Sequence, residues 1–126
     1  MLTHVTRRYW IEDHVRPWTT NSERTWHHFK RASTVKDARE RWALLAKAAQ
    51  VPRLTRIRID AVPLAKDNRW RSDVGACYPA VKAAIDGLVD AQVIPDDNPK
   101  HLDAITFHAP QVVGRDGLRL VISEVP

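Results

Sequence analysis

The sequence predicts an α/β (α+β) fold in which a small mixed β-sheet packs with two main helices, in the order β-α-β-α-β-β. Two segments carry apolar residues at three- and four-residue steps, the spacing of a helix face. Four other segments alternate apolar and polar residues, as half-buried strands do. The chain has 126 residues, of which 44% are hydrophobic and 28% charged, so we expect a single globular domain over residues 1–126.

The first strand is predicted over residues 7–14, where Tyr9 and Ile11 alternate with polar residues. Residues 16–31 are predicted to be irregular, because no apolar period runs through this basic and aromatic stretch. Three tryptophans in basic surroundings could stack on unpaired bases. Tryptophans in loops more often belong to the periphery of the core, and we favour that interpretation for Trp18, Trp26 and Trp70.

The first main helix is predicted to begin at a cap, Ser33 or Thr34, and it cannot continue past Pro52. Apolar residues recur along it at helical spacing, and Trp42 stands in the middle of them. We therefore expect Trp42 in the core. The whole apolar face comprises Val35, Ala38, Trp42, Leu45 and Ala49.

The second main helix is predicted to open near Pro79, since proline is tolerated at the first helical position. A strand over residues 54–62 and a polar, basic loop over residues 66–72 precede it. Gly87 stands inside the helix, where glycine costs up to about 1 kcal/mol relative to alanine. A close packing contact is therefore expected at Gly87. Residues 95–99 form a turn by composition.

Two further strands are predicted near the end of the chain, marked by alternating apolar residues at 105–109 and at 118–122. Residues 114–117 begin and end with glycine, which favours a hairpin loop. The two strands are therefore expected to be neighbours in the sheet.

The charge balance of the chain favours a polyanionic partner. Twenty Lys and Arg residues against fifteen Asp and Glu residues give a formal charge of +5. A nucleic acid suits such an excess, because each neutralised phosphate releases condensed counterions. A basic surface that only maintains solubility is the alternative.

Other functional classes are excluded by what the sequence lacks. The single cysteine, Cys77, excludes an internal disulfide framework and a thiolate-rich zinc site. No glycine-rich phosphate loop or nucleotide fingerprint supports the hydrolysis of nucleoside triphosphates. No apolar run is long enough to cross a bilayer, so we expect a cytoplasmic protein without membrane association.

Carboxylates on both sides of the second helix are candidate metal ligands. Asp73 precedes the helix, and Asp96 and Asp97 lie in the turn that follows it. Mg²⁺ prefers hard oxygen ligands and is commonly held by one or two carboxylates. A helix of about a dozen residues is ~18 Å long, so its two ends can share a metal only if a flanking segment folds back along it. Ordinary solvated turn chemistry is the interpretation that these residues favour by themselves.

Lys82 and Asp86 lie one helical turn apart on the second helix. This spacing could place a cation near a scissile phosphate, beside a metal-binding acid. The simpler interpretation is an exposed ion pair worth about 0.2–0.5 kcal/mol. His27 and His28 have no cysteines nearby, so we expect phosphate contact there instead of zinc binding.

Taken together, these segments resemble the RusA-like family of Holliday junction resolvases, especially members from actinobacteria and their phages. Residues 73–97 read DVGACYPAVKAAIDGLVDAQVIPDD and are similar to the family's acidic motif, its Lys-x-x-x-Asp-Gly-Leu helix and its Asp-Asp turn. Residues 20–27 resemble the family's early basic Asn-Arg-His-Trp loop. The element order also matches, so the resemblance covers most of the chain.

The resemblance implies a Mg²⁺-dependent endonuclease, with Mn²⁺ as the alternative ion, that acts as a homodimer on four-way DNA junctions in recombination and repair. Asp73 and one of Asp96 or Asp97 would ligate the metal, while Lys82 and Asp86 would support catalysis. The DNA-contacting residues would be Asn21, Arg24, His27, Lys30, Arg31, Arg69 and Arg71. The expected setting is the cytoplasm of a bacterial or phage-infected cell.

The chain departs from the family pattern at two positions. The acidic motif commonly reads Asp-x-Asp-Asn, whereas this chain has Gly75 and Ala76 at the third and fourth positions. Removing the polar groups that support metal ligands commonly lowers affinity or activity about 10–100-fold. Two alternatives therefore stand beside the enzyme: a protein of the same fold that binds branched DNA without cutting it well, and a non-enzymatic interaction protein.

Overall fold

The computed structural model describes residues 6–126 and confirms the mixed α+β class. In chain order, the elements are β1 (Arg8–Asp13), α1 (Thr20–Glu23), α2 (His28–Ala48), β2 (Ile57–Ala65), α3 (Tyr78–Asp90), β3 (Leu102–Phe107), β4 (Gln111–Val112) and β5 (Gly117–Glu124). Within this range, no helix combines the length and the apolar character needed to cross a membrane.

The strands form one mixed sheet in the order β1-β5-β2-β3, and the short β4 pairs with the end of β2. β5 runs antiparallel to both β1 and β2, whereas β3 and β4 run parallel to β2. β5 is therefore an interior strand of the sheet, although it comes last in the chain.

The predicted hairpin at residues 114–117 is wrong. Leu64 of β2 pairs with Gln111 of β4 on one side and with Gly117 of β5 on the other. The loop therefore carries the chain across the end of β2, and β2 separates β3 from β5. A glycine-rich loop indicates a sharp change of direction, but it does not indicate which strands become neighbours.

α2 and α3 pack against each other and cover one face of the sheet, where the core lies. Ile57, Ile59 and Ala61 of β2 are at most 1% exposed, as their alternation predicted. Trp42 is 1% exposed, which confirms its predicted place in the core. α3 contributes the buried side chains of Val81, Ala84, Ile85 and Leu88 to the same core.

Gly87 allows α2 and α3 to approach closely. A Cβ atom at this position would lie 2.7 Å from the backbone oxygen of Arg39 and 2.7 Å from the Cβ of Trp42. The close packing contact expected from the sequence is therefore confirmed. The same two helices are also joined by an ion pair, with 2.8 Å between Arg39 Nη2 and Asp90 Oδ1.

α2 is longer than predicted. It begins at His28, ahead of Ser33, and residues 20–23 form the short helix α1. The prediction of an irregular stretch over residues 16–31 is therefore wrong for these two segments. The first two turns of α2 are largely exposed and lack apolar spacing, so the periodicity that indicates a helix begins only later.

Candidate active site

Lys82 of α3 brings two predicted catalytic carboxylates together. Its Nζ donates to Asp86 Oδ1 at 2.7 Å and also to Asp97 Oδ2. Asp97 lies beyond the end of α3, so the segment after the helix folds back beside it. We call Lys82, Asp86 and Asp97 the Lys82 cluster.

The turn that carries Asp97 is held by its own hydrogen bonds. Asp96 Oδ1 accepts from the Asp97 amide at 2.8 Å, and Asp96 Oδ2 accepts from Asn98 Nδ2 at 3.0 Å. Asn98 Oδ1 in turn accepts from the Lys100 amide at 2.9 Å. Both carboxylate oxygens of Asp96 are thus engaged within the turn, so Asp97 is the turn aspartate that reaches Lys82.

The contacts within the Lys82 cluster shift the pKa values of Lys82 and Asp97. The hydrogen bond from Lys82 holds the pKa of Asp97 below its usual range, against the opposing effect of burial. Burial acts to lower the pKa of Lys82, but hydrogen bonds and charges from Asp86 and Asp97 outweigh it and raise the pKa. Lys82 and Asp97 therefore form a charged pair at neutral pH. The side chain of Lys82 is 42% exposed and that of Asp97 is 29% exposed, so a solute can reach them.

Asp73 lies in a separate polar cleft, on the loop that precedes α3. This cleft, which we call the Asp73 cleft, has a volume of about 490 Å³, and Asn21 and Arg71 also line it. The amide of Thr20 donates to the Ala76 carbonyl at 3.0 Å, which ties α1 to this loop. Two predicted site residues from distant parts of the chain, Asn21 and Asp73, are thus brought together.

The Asp73 cleft and the Lys82 cluster are neighbours. Thr20 lines the Asp73 cleft and also a second cleft of about 380 Å³, whose lining includes Lys82 and Asp86. Glu23 of α1 lines this second cleft too, and the sequence did not predict it as a site residue.

The predicted DNA-contacting residues of α1 and α2 lie at the surface. Arg24, His27 and Lys30 are exposed, and Lys30 Nζ is 4.7 Å from the centroid of the Trp26 ring. Arg31 is held by Glu23, at 3.2 Å between Nε and Oε1.

The two arginines of the loop before α3 differ in how firmly they are held. Arg69 is 90% exposed, with its Nε 3.7 Å from Asp67 Oδ2. Arg71 donates from Nη1 to the backbone oxygens of Asn68 and Trp70, at 2.7 and 3.3 Å. Arg71 is therefore fixed at the rim of the Asp73 cleft, whereas Arg69 extends into solvent.

The three loop tryptophans make contacts within the protein. The rings of Trp18 and Trp26 are 6.2 Å apart, and Trp18 Nε1 donates to Glu23 Oε2 at 2.9 Å. The guanidinium of Arg16 lies 4.8 Å from the ring centroid of Trp70. All three rings are half-buried, which agrees with the peripheral packing favoured from the sequence.

The fold and the site define a small α+β protein with a lysine-bridged pair of carboxylates in an accessible cleft. Among residues 6–126, no three His, Cys, Asp or Glu side chains gather closely enough to form a metal-binding group. No protein-family model matches this chain, and no curated protein matches it.

Proposed function

We propose that this chain is a Mg²⁺-dependent endonuclease that acts as a homodimer on four-way DNA junctions. The observation that carries the proposal is the meeting of Asp86 and Asp97 at Lys82. The fold-back after α3 brings Asp97 beside Asp86, whereas Asp73 lies in a separate cleft. The resemblance to the RusA-like resolvases supplies the substrate, the dimeric state and the setting, the cytoplasm of a bacterial or phage-infected cell.

The donor chemistry of the Lys82 cluster fits a hard divalent cation. Asp86 and Asp97 offer carboxylate oxygens that lie close together, because both contact the same nitrogen atom. These two residues would hold the ion, whereas Asp73 lies in the adjoining cleft. When bound, Mg²⁺ polarises a phosphoryl group and lowers the pKa of a coordinated water.

Lys82 would bind the phosphate of the substrate. An ammonium group has three N–H donors, and the two contacts within the cluster leave one of them for a phosphate oxygen. The raised pKa of Lys82 keeps this donor charged at neutral pH. A phosphodiester would therefore be held beside the two carboxylates by a fixed positive charge.

Basic residues after α1 and in the loop before α3 would position the DNA. Arg24, Arg69 and Arg71 present cations at the surface, and the amide of Asn21 can donate or accept hydrogen bonds. Phosphate contacts of this kind fix the position of a duplex without reading its sequence. Recognition by branch shape, which a junction enzyme needs, is compatible with such contacts.

Cleavage of a synthetic four-way junction tests the proposal. We expect paired symmetric nicks with Mg²⁺ and none with EDTA. Asp97→Asn and Asp86→Asn should each lower the rate at least about 100-fold, because metal-bound charge is lost. Asp37→Asn is the matched control, since Asp37 is an exposed carboxylate on α2, outside both clefts. Uncut junction at all Mg²⁺ concentrations, or equal rates in the control and the Asp97 variant, would reject the nuclease.

A second candidate, a protein that binds junctions without cutting them well, is favoured by the backbone at Gly75. Its φ of +85° lies in the left-handed region, where side chains are disfavoured and Asn and Asp are penalised least. Gly75 thus suits the backbone of this loop, but it supplies no carboxylate at the position where the RusA-like family commonly has its second acid. Retarded but intact junction in the same assay would support this candidate over the enzyme.

A further inference from the structure

A cleft beside the turn that carries Asp97 is lined mainly by cations. It has a volume of about 450 Å³, and we call it the Arg53 cleft. Four positive side chains and one carboxylate line it, an excess that attracts anions. These charged residues are Arg7, Arg53, Arg56, Lys100 and Glu124.

Two of the four cations are free to meet a ligand. Arg7 and Arg56 are each paired with a carboxylate, Arg7 at 2.9 Å from its Nε to Glu124 Oε2. Arg53 and Lys100 are exposed, and no carboxylate within residues 6–126 forms an ion pair with either. The positive charge of the Arg53 cleft is therefore only partly neutralised by the described residues themselves.

Arg56 adds a hydrogen-bond donor without an acceptor. Its Nε is buried and has no partner in the described part of the chain, although its Nη2 pairs with Asp103. A buried donor of this kind is rare in proteins and calls for an explanation. The Arg56 side chain as a whole is 42% exposed, and a guanidinium has only donors and matches the oxygens of phosphate.

We infer that the Arg53 cleft binds phosphate groups, carried either by a nucleic acid strand or by a free phosphate ester. The position of the cleft favours the strand. Lys100 follows Asp97 by three residues, so their Cα atoms lie at most ~10 Å apart. Successive phosphates of one DNA strand advance ~3.4 Å along the helix axis. A strand that crosses the Lys82 cluster thus reaches the Arg53 cleft within a few nucleotides, an argument that rests on the proposed function.

Salt-dependent binding of a fluorescently labelled four-way junction tests the strand. Anisotropy is measured in EDTA, so that binding is read without cleavage. The slope of log K against log salt is negative, and each lost phosphate contact reduces its magnitude by about 0.9. Arg53→Gln with Lys100→Gln should therefore lower it by about 1.8. The matched double variant Arg8→Gln with Lys47→Gln removes two exposed cations elsewhere and should change the slope far less.

A titration of ¹⁵N-labelled protein with sodium pyrophosphate tests the free ester. Saturable shifts at the amides of Arg53 and Lys100, with no specific change in the DNA slope, would assign the cleft to a small phosphate compound. A specific fall in the slope would assign it to the strand. If neither measurement responds, the inference is overturned. Because neither assay requires cleavage, a failed nuclease proposal and a failed phosphate cleft give different results.

Discussion

Replacing Gly87 by alanine should destabilise this protein, which is the reverse of the usual effect inside a helix. On propensity alone, Gly→Ala in a helix interior gains about 1 kcal/mol. Here the new methyl group would lie 2.7 Å from the carbonyl oxygen of Arg39 and 2.7 Å from the Cβ of Trp42. Neither atom can rotate away, because one is backbone and the other is attached directly to it. α2 and α3 must therefore move apart.

Overpacking of this kind typically costs about 1–3 kcal/mol, and these contacts are close enough for the upper part of that range. After the gain in propensity is subtracted, we expect a net loss of about 1–2 kcal/mol. For a domain of this size, the loss corresponds to a fall in Tm of roughly 5 °C. Thermal melts and urea unfolding, followed by circular dichroism, measure it.

Ala32→Gly is the control for the propensity contribution. Ala32 is exposed on α2, so this change should cost about 1 kcal/mol without creating a cavity. If Gly87→Ala matches or exceeds the wild-type stability while Ala32→Gly shows its expected loss, the packing argument is refuted. Helix separation would then be easier than the contacts at Gly87 indicate.

Three other predictions concern charged and reactive groups. Asp13 is 5% exposed, and Arg41 donates to it from Nε, shared between both carboxylate oxygens at 2.9 Å, and from Nη2 at 2.8 Å. Arg41→Met should therefore cost about 2 kcal/mol in urea unfolding, and an unchanged midpoint would mean that water already solvates the carboxylate. In the folded protein, the pKa of Asp97 lies below its ordinary value of 3.8. The charged carboxylate therefore stabilises the folded state above pH 3.8, and this stabilisation is lost as the pH falls through the lower pKa of the folded state. Asp97→Asn should therefore flatten the decline of Tm below about pH 4, and parallel curves for the variant and the wild type would contradict this. Cys77 is buried, and burial raises the pKa of its thiol, so iodoacetamide should label it only after denaturation. Mass spectrometry follows the labelling, and rapid labelling of the native protein would show that the loop before α3 opens.

The features of the fold that depend on local pattern could be predicted from the sequence. The alternation at Ile57, Ile59 and Ala61 predicted their burial in β2, and the helical spacing predicted that of Trp42. The early start of α2 at His28 could not be predicted, because its first turns face solvent and carry no apolar period. The strand order could not be predicted either, because the loop at residues 114–117 crosses the end of β2 instead of joining two neighbouring strands in a hairpin.

The candidate site shows the same division. The helical spacing placed Lys82 and Asp86 on one side of a helix, and their contact at 2.7 Å agrees with it. The arrival of Asp97 depends on a backbone reversal after α3, which periodicity does not encode. The choice between Asp96 and Asp97 follows from the hydrogen bonds within the turn, which only the coordinates reveal.

The interior position of β5 has a consequence for how the protein forms during translation. β1 pairs with no strand of the described sheet except β5, and contacts between the two, such as that of Glu12 with Arg119, join residues about 107 positions apart. During synthesis, β1 therefore stays without its partner β5, and the central hydrogen-bond ladder closes only when residues 117–124 follow. Contacts of such long range slow folding, so the edges of β1 and β2 that pair with β5 stay open until β5 has been made.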